Sequence, residues 1–121
     1  MSTRGNICIK VKEDDYYKVN KKVKGLVYKE FPYIFIYNHF DSYPEGLGAT
    51  LKKDYNSYEK ALDLVLEGDC SYPGKPYAER EGYSEVAPQV TNSIVKACQQ
   101  EYLYVFQDDA WEAYNDELEK I

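Results

Sequence analysis

The sequence predicts an α+β fold, in which an antiparallel sheet of about five to six strands has two to three helices on one face. A chain of 121 residues corresponds to one domain, so residues 1–121 are expected to form a single unit with one modest core. Short apolar segments with strand periodicity occur near both ends of the chain. Segments with helical spacing lie between them, which favours helices packed on a sheet.

The first strands are predicted in the N-terminal third. Residues 7–11 alternate between apolar and mostly polar side chains, as in a half-buried strand. Residues 33–37 read Y-I-F-I-Y and are apolar or aromatic on both faces, which predicts a central strand. Shorter strands are predicted at residues 16–19 and 26–28.

Helical signals begin at Pro44, which suits a first helical turn, and continue through apolar side chains four residues apart up to residue 55. A second helix is predicted over residues 58–66, with Asn56 as its cap. A third is predicted from about residue 85 to residue 99, where apolar side chains share one helical face.

The remaining segments predict a long loop and a C-terminal hairpin. Residues 69–84 are rich in Gly, Pro, Ser, Tyr and charge, which is typical of a loop, and its length indicates a function. Residues 102–106 and 111–114 are predicted as paired strands joined by a turn at residues 107–109.

The charge balance restricts the class of partner. The net charge is −6, which opposes nucleic acid and anionic membranes. A small anionic ligand would need local donors, and the chain has only two arginines, Arg4 and Arg80. Both are therefore candidate ligand contacts, and the alternative for each is a surface ion pair.

Cysteine usage and hydropathy indicate a cytosolic protein. The three cysteines are widely spaced without a pairing motif, which predicts reduced thiols. No signal peptide is expected, and no apolar run reaches the roughly 18 residues of a membrane span. With one histidine and no ligand spacing, no metal site is predicted.

The segment N-H-F-D-S-Y-P-E-G-L-G, residues 38–48, joins the predicted central strand to a predicted helix. Unpaired amides at a helix start favour an anion, and glycines allow a phosphate to approach closely. His39, Asp41 and Tyr43 are candidate ligand contacts beside such an anion. The structural alternative is that Asp41 or Ser42 caps the helix and His39 packs on the sheet.

A catalytic interpretation of the same segment uses His39 as a base that Asp41 orients, because the two point the same way on an extended chain. No hydrolase, metalloprotease or phosphate-loop motif accompanies them. We therefore predict that the protein is not an enzyme and has no catalytic residues.

The long loop contains Tyr77, Arg80 and Tyr83, a combination that can bind phosphate through the guanidinium and stack on a base. The alternative is a solvated loop with an Arg–Glu pair. Asn6 before the first strand and Asn92 on the polar side of the third predicted helix are further candidates for hydroxyl groups of a ligand.

Five segments together resemble a family of small phage and prophage proteins, and in particular the anti-Thoeris proteins that sequester a signalling nucleotide. They are residues 3–6 (T-R-G-N), 37–48 (Y-N-H-F-D-S-Y-P-E-G-L-G), 68–69 (G-D), Arg80, and 101–111 (E-Y-L-Y-V-F-Q-D-D-A-W). The chain departs from the family pattern at Phe40, where the family has Trp, and at Ser42, where it has Gly. Residues 78–82 read A-E-R-E-G where the family has R-D-R-G-E, so one arginine is missing.

The resemblance implies a small α+β domain that forms a homodimer or a higher homo-oligomer, with its ligand near the interface. It implies binding, without cleavage, of a cyclic ADP-ribose isomer made by a bacterial TIR enzyme, with no cofactor, in the cytoplasm of the infected bacterial host. Arg4, Arg80 and helix-start amides would contact the pyrophosphate, and Asp41, Asn6 or Asn92 the ribose. Tyrosines would contact the adenine, and residues 69–84 would form a lid.

Two other function classes remain open. A phage inhibitor that binds a host protein directly would use surface tyrosines as binding hot spots. A cyclic-nucleotide hydrolase would use His39 and Asp41.

Overall fold

A mixed seven-stranded sheet organises the computed structural model, which describes residues 2–121. The strands are β1 (Gly5–Lys10), β2 (Tyr33–Asn38), β3 (Cys70–Tyr72), β4 (Lys75–Pro76), β5 (Gln89–Thr91), β6 (Tyr102–Gln107) and β7 (Ala110–Asn115). The helices are α1 (Tyr16–Asn20), α2 (Ala49–Asp54), α3 (Tyr58–Leu66) and α4 (Ile94–Ala97). A π-helical turn, Pro44–Gly48, leads into α2, and short 3-10 turns occupy Glu13–Asp15 and Tyr77–Glu79.

The α+β class is confirmed, but the prediction of a purely antiparallel sheet with five to six strands is wrong. The strand order is β4-β3-β2-β1-β6-β7, and β5 also pairs with β2. β1 is antiparallel to β2 and parallel to β6, and β2 is parallel to β3. Apolar alternation fixes which side chains face the core, whereas the route of the connecting chain fixes strand direction.

Helices cover both faces of the sheet, which corrects the prediction of two to three helices on one face. Ile7 and Ile9 face the larger core, which includes apolar residues of α1, α2 and α3. Cys8, between them, faces a second cluster to which α4 contributes Ala97. The doubly apolar sequence of β2 follows from this arrangement, since Ile34 and Ile36 pack on one face and Phe35 on the other.

The predicted third helix is mostly extended chain. Residues 84–88 have no regular structure, β5 follows, and only Ile94–Ala97 is helical after the cap residue Ser93. Pro88 disfavours helical geometry at the residue before it. The β-branched residues Val90 and Thr91 pair instead with β2.

Some of the other local predictions are confirmed, and others are wrong. The central strand, the C-terminal hairpin and the helices after residue 44 and over residues 58–66 are confirmed. The strand predicted at residues 16–19 is wrong, because this segment is α1. The long loop contains the β3–β4 hairpin, and Ser57 rather than Asn56 caps α3 by accepting a hydrogen bond from the amide of Lys60.

The three cysteines are free, and two of them, Cys8 and Cys70, are buried. Burial raises the pKa of the Cys70 thiol to about 12, so this side chain behaves as a small apolar group at neutral pH. Over residues 2–121, no helix is long and apolar enough to cross a membrane.

Candidate functional site

A cleft of about 640 Å³ opens beside the end of β2. Phe40 and Asp41 line one side, and the β3–β4 hairpin with the turn that follows lines the other. The residues contributed by this second side are Ser71, Tyr72, Gly74, Lys75, Pro76, Glu79 and Arg80. The cleft therefore lies between the two segments that the sequence singles out, called here the strand–helix turn (residues 38–48) and the cleft loop (residues 69–84).

Backbone hydrogen bonds hold the two sides of the cleft together. The amides of His39 and Phe40 donate to the carbonyl oxygens of Cys70 and Ser71, at 3.1 and 2.9 Å. These bonds continue the β2–β3 pairing beyond the end of β2. Phe40 is thereby fixed at the mouth of the cleft with 42% of its surface exposed.

The strand–helix turn uses most of its polar groups internally. The amide of Gly46 donates to the carbonyl of Tyr43 at 3.0 Å, and the amide of Leu47 donates to the carbonyl of Asp41 at 2.8 Å. These two amides, which the sequence analysis considered for an anion, are occupied by the turn itself. No side chain caps the π-helical turn. The prediction that Asp41 or Ser42 caps the helix is therefore wrong.

Ser42 fixes the turn to the sheet. It is fully buried and accepts a hydrogen bond from Asn38 Nδ2 at 2.9 Å. Its carbonyl accepts one from the Tyr104 hydroxyl at 2.7 Å, and its amide donates to the carbonyl of Thr3 at 3.0 Å. Ser42 thus anchors the turn in the core, and its own polar groups are occupied within the protein.

Close packing explains the two glycines of the turn. A Cβ atom at Gly46 would lie 2.5 Å from the carbonyl oxygen of Asp41, which is shorter than any van der Waals contact. A Cβ at Gly48 would lie 3.2 Å from the Tyr104 ring. The glycine pattern therefore reflects tight backbone packing at these two positions.

His39 pairs with Tyr37 and not with Asp41. Its Nδ1 lies 2.7 Å from the Tyr37 hydroxyl, and its Nε2 lies 3.4 Å from the hydroxyl of Ser2. The ring also contacts Phe40 edge-on, with centroids 4.6 Å apart. His39 therefore supports the position of Phe40, and the base–orienter pair of the hydrolase hypothesis is not formed.

Asp41 lies at the cleft in an uncommon backbone conformation. It is exposed, lines the cleft and has φ of 55°, in the left-handed region. This conformation turns the chain from β2 toward Pro44 and is compatible with the close approach of Gly46. Tyr43, two residues later, is 38% exposed.

Arg80 is held at the opposite side of the cleft by two contacts. Its Nη1 donates to Ser71 Oγ at 3.2 Å, and its guanidinium carbon lies 4.2 Å from the centre of the Tyr83 ring. Tyr83 in turn contacts Tyr77, with ring centroids 5.3 Å apart. Across residues 2–121 the one ion pair within 4.0 Å joins Lys120 and Glu112, so the alternative of an Arg80–Glu pair is not observed.

Asp69 fixes the start of the cleft loop. Its Oδ1 accepts a hydrogen bond from the amide of Tyr37, its carbonyl accepts one from the amide of Tyr77, and its amide donates to the carbonyl of Val86. Each of these three bonds is 2.9 Å long. Burial raises the pKa of the Asp69 carboxyl, and the Tyr37 amide and the charge of Lys24 offset part of that rise.

Asn6 and Asn92 lie outside the cleft. Asn6 is buried, donates to the carbonyl of Ile36 and accepts from the amide of Gln99, so both ends of its side chain are occupied. Asn92 follows β5 at the Tyr33 end of β2, and the cleft lies at the other end of this six-residue strand. Six residues of strand span about 17 Å.

Neither Arg4 nor Tyr77 lines the cleft. Arg4 is exposed just before β1, and its charge partly offsets the rise that burial causes in the pKa of the Tyr37 hydroxyl. Tyr77 is half-buried. Burial is the largest cause that raises the pKa of its hydroxyl, and the nearby Tyr37 is the next. Both side chains therefore belong to the surface around Tyr37 and His39.

The structure adds cleft residues that sequence reasoning missed, chiefly Lys75 and Glu79. Lys75 begins β4 after the tight turn of Pro73 and Gly74, and Gly74 has φ of 89°. A Pro-Gly pair between two short strand segments was the available signal for this hairpin.

Neither sequence nor structure comparison adds a relative to this geometry. No family model matches the chain, and no curated protein or solved structure matches it. In the part of the chain that the structure describes, no group of three or more His, Cys, Asp or Glu side chains is placed to hold a metal ion. The cleft is lined by two cations, two carboxylates and the rings of Phe40 and Tyr72, a combination that suits a ligand with phosphate, hydroxyl and aromatic groups.

Proposed function

We propose that the protein binds a cyclic ADP-ribose isomer in this cleft and holds it unchanged, as the anti-Thoeris proteins that it resembles do. The observation that supports this proposal most is the position of Arg80, fixed between Ser71 and Tyr83 at the edge of the 640 Å³ cleft. The proposed role is to sequester a signal made by a TIR enzyme in the cytoplasm of an infected bacterium.

The cleft fits such a ligand in size and in chemistry. Its volume lies within the range of about 300–1,000 Å³ that is common for small-molecule sites. Arg80 and Lys75 supply positive charge for a pyrophosphate, and the planar guanidinium can donate two parallel hydrogen bonds to it. Asp41 can accept hydrogen bonds from ribose hydroxyls, and the exposed ring of Phe40 can contact the base.

Sequestration requires slow release, and the cleft loop is proposed as the lid. Its two glycines, Gly74 and Gly82, both have positive φ, and a Cβ atom added to either would have no neighbouring atom within 4 Å. These two glycines are the proposed hinges of the lid, between ends that the hydrogen bond from the Asp69 amide to the Val86 carbonyl fixes. Hydrogen exchange of residues 73–83 is expected to slow when ligand binds.

We also propose that the protein acts as a homodimer or a higher homo-oligomer with the cleft near the interface. Three aromatic side chains are exposed close to the cleft in sequence or space, namely Phe40 (42%), Tyr43 (38%) and Tyr83 (50%). Exposed aromatic groups of this kind are common at interfaces. The same three rings favour, as the second candidate function, direct binding of a host protein.

Recovery of the ligand tests the proposal. The protein is incubated with a lysate that contains TIR-made cyclic ADP-ribose isomers and then filtered, and the filtrate and the heat-denatured protein are analysed by mass spectrometry. The expected result is loss of the isomer from the filtrate and its intact recovery after denaturation. Isomer lost and not recovered would indicate a hydrolase, with His39→Ala as the next variant.

An isomer that stays in the filtrate would contradict nucleotide binding. A pull-down from host lysate that returns one stoichiometric protein would then favour the second candidate.

A further inference from the structure

A group of lysines lies at the end of α1 and in the connection that follows it. Four lysines occur within residues 18–24, in a chain whose net charge is −6. They are Lys18, Lys21, Lys22 and Lys24, and all four are exposed. None of them forms an ion pair within 4.0 Å with any of residues 2–121.

The connection that carries Lys21, Lys22 and Lys24 is fixed at both ends. The Asn20 side chain bonds both backbone groups of Val27, donating to its carbonyl at 3.0 Å and accepting from its amide at 2.7 Å. Val19 and Val27 are buried in the main core. The amide of Lys24 also donates to the carbonyl of Pro88 at 3.3 Å. The lysines therefore project from a closed and well-anchored loop.

Three of the lysines converge on one pocket of about 380 Å³, called here the lysine pocket. Its lining residues are Lys21, Lys22, Lys24, Leu66, Glu85 and Ala87. It shares none of them with the cleft beside β2. Three lysines and one glutamate thus line the pocket together with two apolar residues, and the Lys21 Nζ also lies 4.4 Å from the centre of the Tyr17 ring. A pocket with such an excess of one charge attracts the opposite charge.

We propose that the lysine pocket binds a compact phosphate anion, independently of the ligand in the cleft. A long polyanion such as nucleic acid would extend beyond the pocket onto the negatively charged remainder of the protein. A compact anion stays within the local field, because salt at 0.1 M screens exposed charges beyond about 10 Å. Multiply charged phosphates gain most from three ammonium groups at short distance.

Two nearby carboxylates reduce the positive charge that the lysines offer to an anion. Glu85 lines the pocket and competes with an anion for the lysines. The charge of Lys24 lowers the pKa of the Asp69 carboxyl, whereas burial raises it. Lys22 and Lys21, whose Nζ also contacts the Tyr17 ring, are therefore assigned as the principal anion contacts, and Glu85 is expected to weaken binding.

Titration with inorganic pyrophosphate, followed by the amide signals of the full chain in NMR, tests this proposal. The expected result is a saturable shift of the signals of residues 21–25 and 85–87. The variant carrying Lys21→Gln and Lys22→Gln is expected to bind at least about fivefold more weakly, since one unit charge at 4 Å contributes roughly 1 kcal/mol even in water. Glu85→Gln is expected to bind more tightly.

Two controls separate the lysine pocket from general charge effects and from the cleft. The variant carrying Lys52→Gln and Lys53→Gln makes the same change in net charge on α2 and is expected to leave the dissociation constant at residues 21–25 within about twofold. Arg80→Ala is expected to leave it unchanged as well. Equal weakening by both lysine pairs, no effect of Glu85→Gln, or no saturable shift at residues 21–25 would each overturn the proposal.

Discussion

The strand–helix turn and the cleft loop have similar compositions, but they use their polar groups differently. The turn directs the carbonyls of Asp41, Ser42 and Tyr43 to groups of the protein itself. The cleft loop is fixed at its start by Asp69 and leaves Lys75 and Arg80 at the cleft. A segment rich in Gly, Pro and Asp therefore indicates unusual backbone geometry, whereas the capacity to bind a ligand depends on which groups remain available after folding.

The two regions are expected to differ most in their tolerance of side chains at glycine. Gly46→Ala places a Cβ atom against the carbonyl of Asp41, and the backbone must move to relieve the clash. We expect a loss of about 3 kcal/mol in the free energy of unfolding, which exceeds the roughly 1 kcal/mol by which alanine favours a helix over glycine. Urea denaturation measures this value.

Gly74→Ala in the cleft loop is the matched comparison. Space around Gly74 is open, so the expected loss is only the cost of φ at 89°, about 1 kcal/mol. Equal losses at the two glycines would contradict the distinction between a packed turn and an open loop.

The next largest effect is expected at Asp69, which connects the cleft loop to β2. Asp69→Ala leaves the amide of Tyr37 without its acceptor, and we expect a loss of about 2 kcal/mol in the free energy of unfolding. Asp69→Asn keeps an oxygen acceptor and removes a partly buried charge, so it is expected to be close to the wild type. A similar loss in both variants would show that the charge, rather than the hydrogen bond, fixes the loop.

The pH dependence of stability is expected to show a smaller effect at the same residue. Because burial raises the pKa of Asp69, the folded state binds its proton more tightly than the unfolded state does. Unfolding free energy should therefore fall in the wild type relative to Asp69→Asn as pH rises from about 4, the ordinary pKa of aspartate, through the raised folded value. Urea titrations of both proteins between pH 4 and pH 8 measure this difference. A wild type that gains stability relative to Asp69→Asn over this range would show that the Tyr37 amide and Lys24 outweigh burial.

Local patterns predicted the elements whose neighbours are close in sequence. The helix over residues 58–66, the central strand β2 and the β6–β7 hairpin each follow from periodicity and turn residues within one segment. The parallel pairing of β1 with β6 joins residues almost a hundred positions apart, and no local pattern encodes its direction. The third helix, predicted from about residue 85, is confined to Ile94–Ala97 because pairing with β2 outweighed helical spacing around Val90.

The sequence predicted only some of the residues of the candidate site. Asp41 and Arg80 lie on opposite sides of one cleft, as expected of two segments rich in polar groups. Asn6 and Asn92 could not be excluded from sequence, because burial of the first and separation of the second depend on how the strands assemble. Lys75 was missed because the β3–β4 hairpin was interpreted as irregular loop.

The most direct test of the account compares Arg80→Ala with the wild type in the recovery experiment, with Lys29→Ala as a control at the other end of β2. Arg80 is exposed and its removal leaves the core intact, so the free energy of unfolding should fall by no more than about 1 kcal/mol, the value of an exposed cation–π contact. The account predicts that Arg80→Ala binds the cyclic ADP-ribose isomer at least about tenfold more weakly, while Lys29→Ala binds like the wild type. Undiminished recovery of intact isomer from Arg80→Ala would contradict the assignment of the cleft as the binding site.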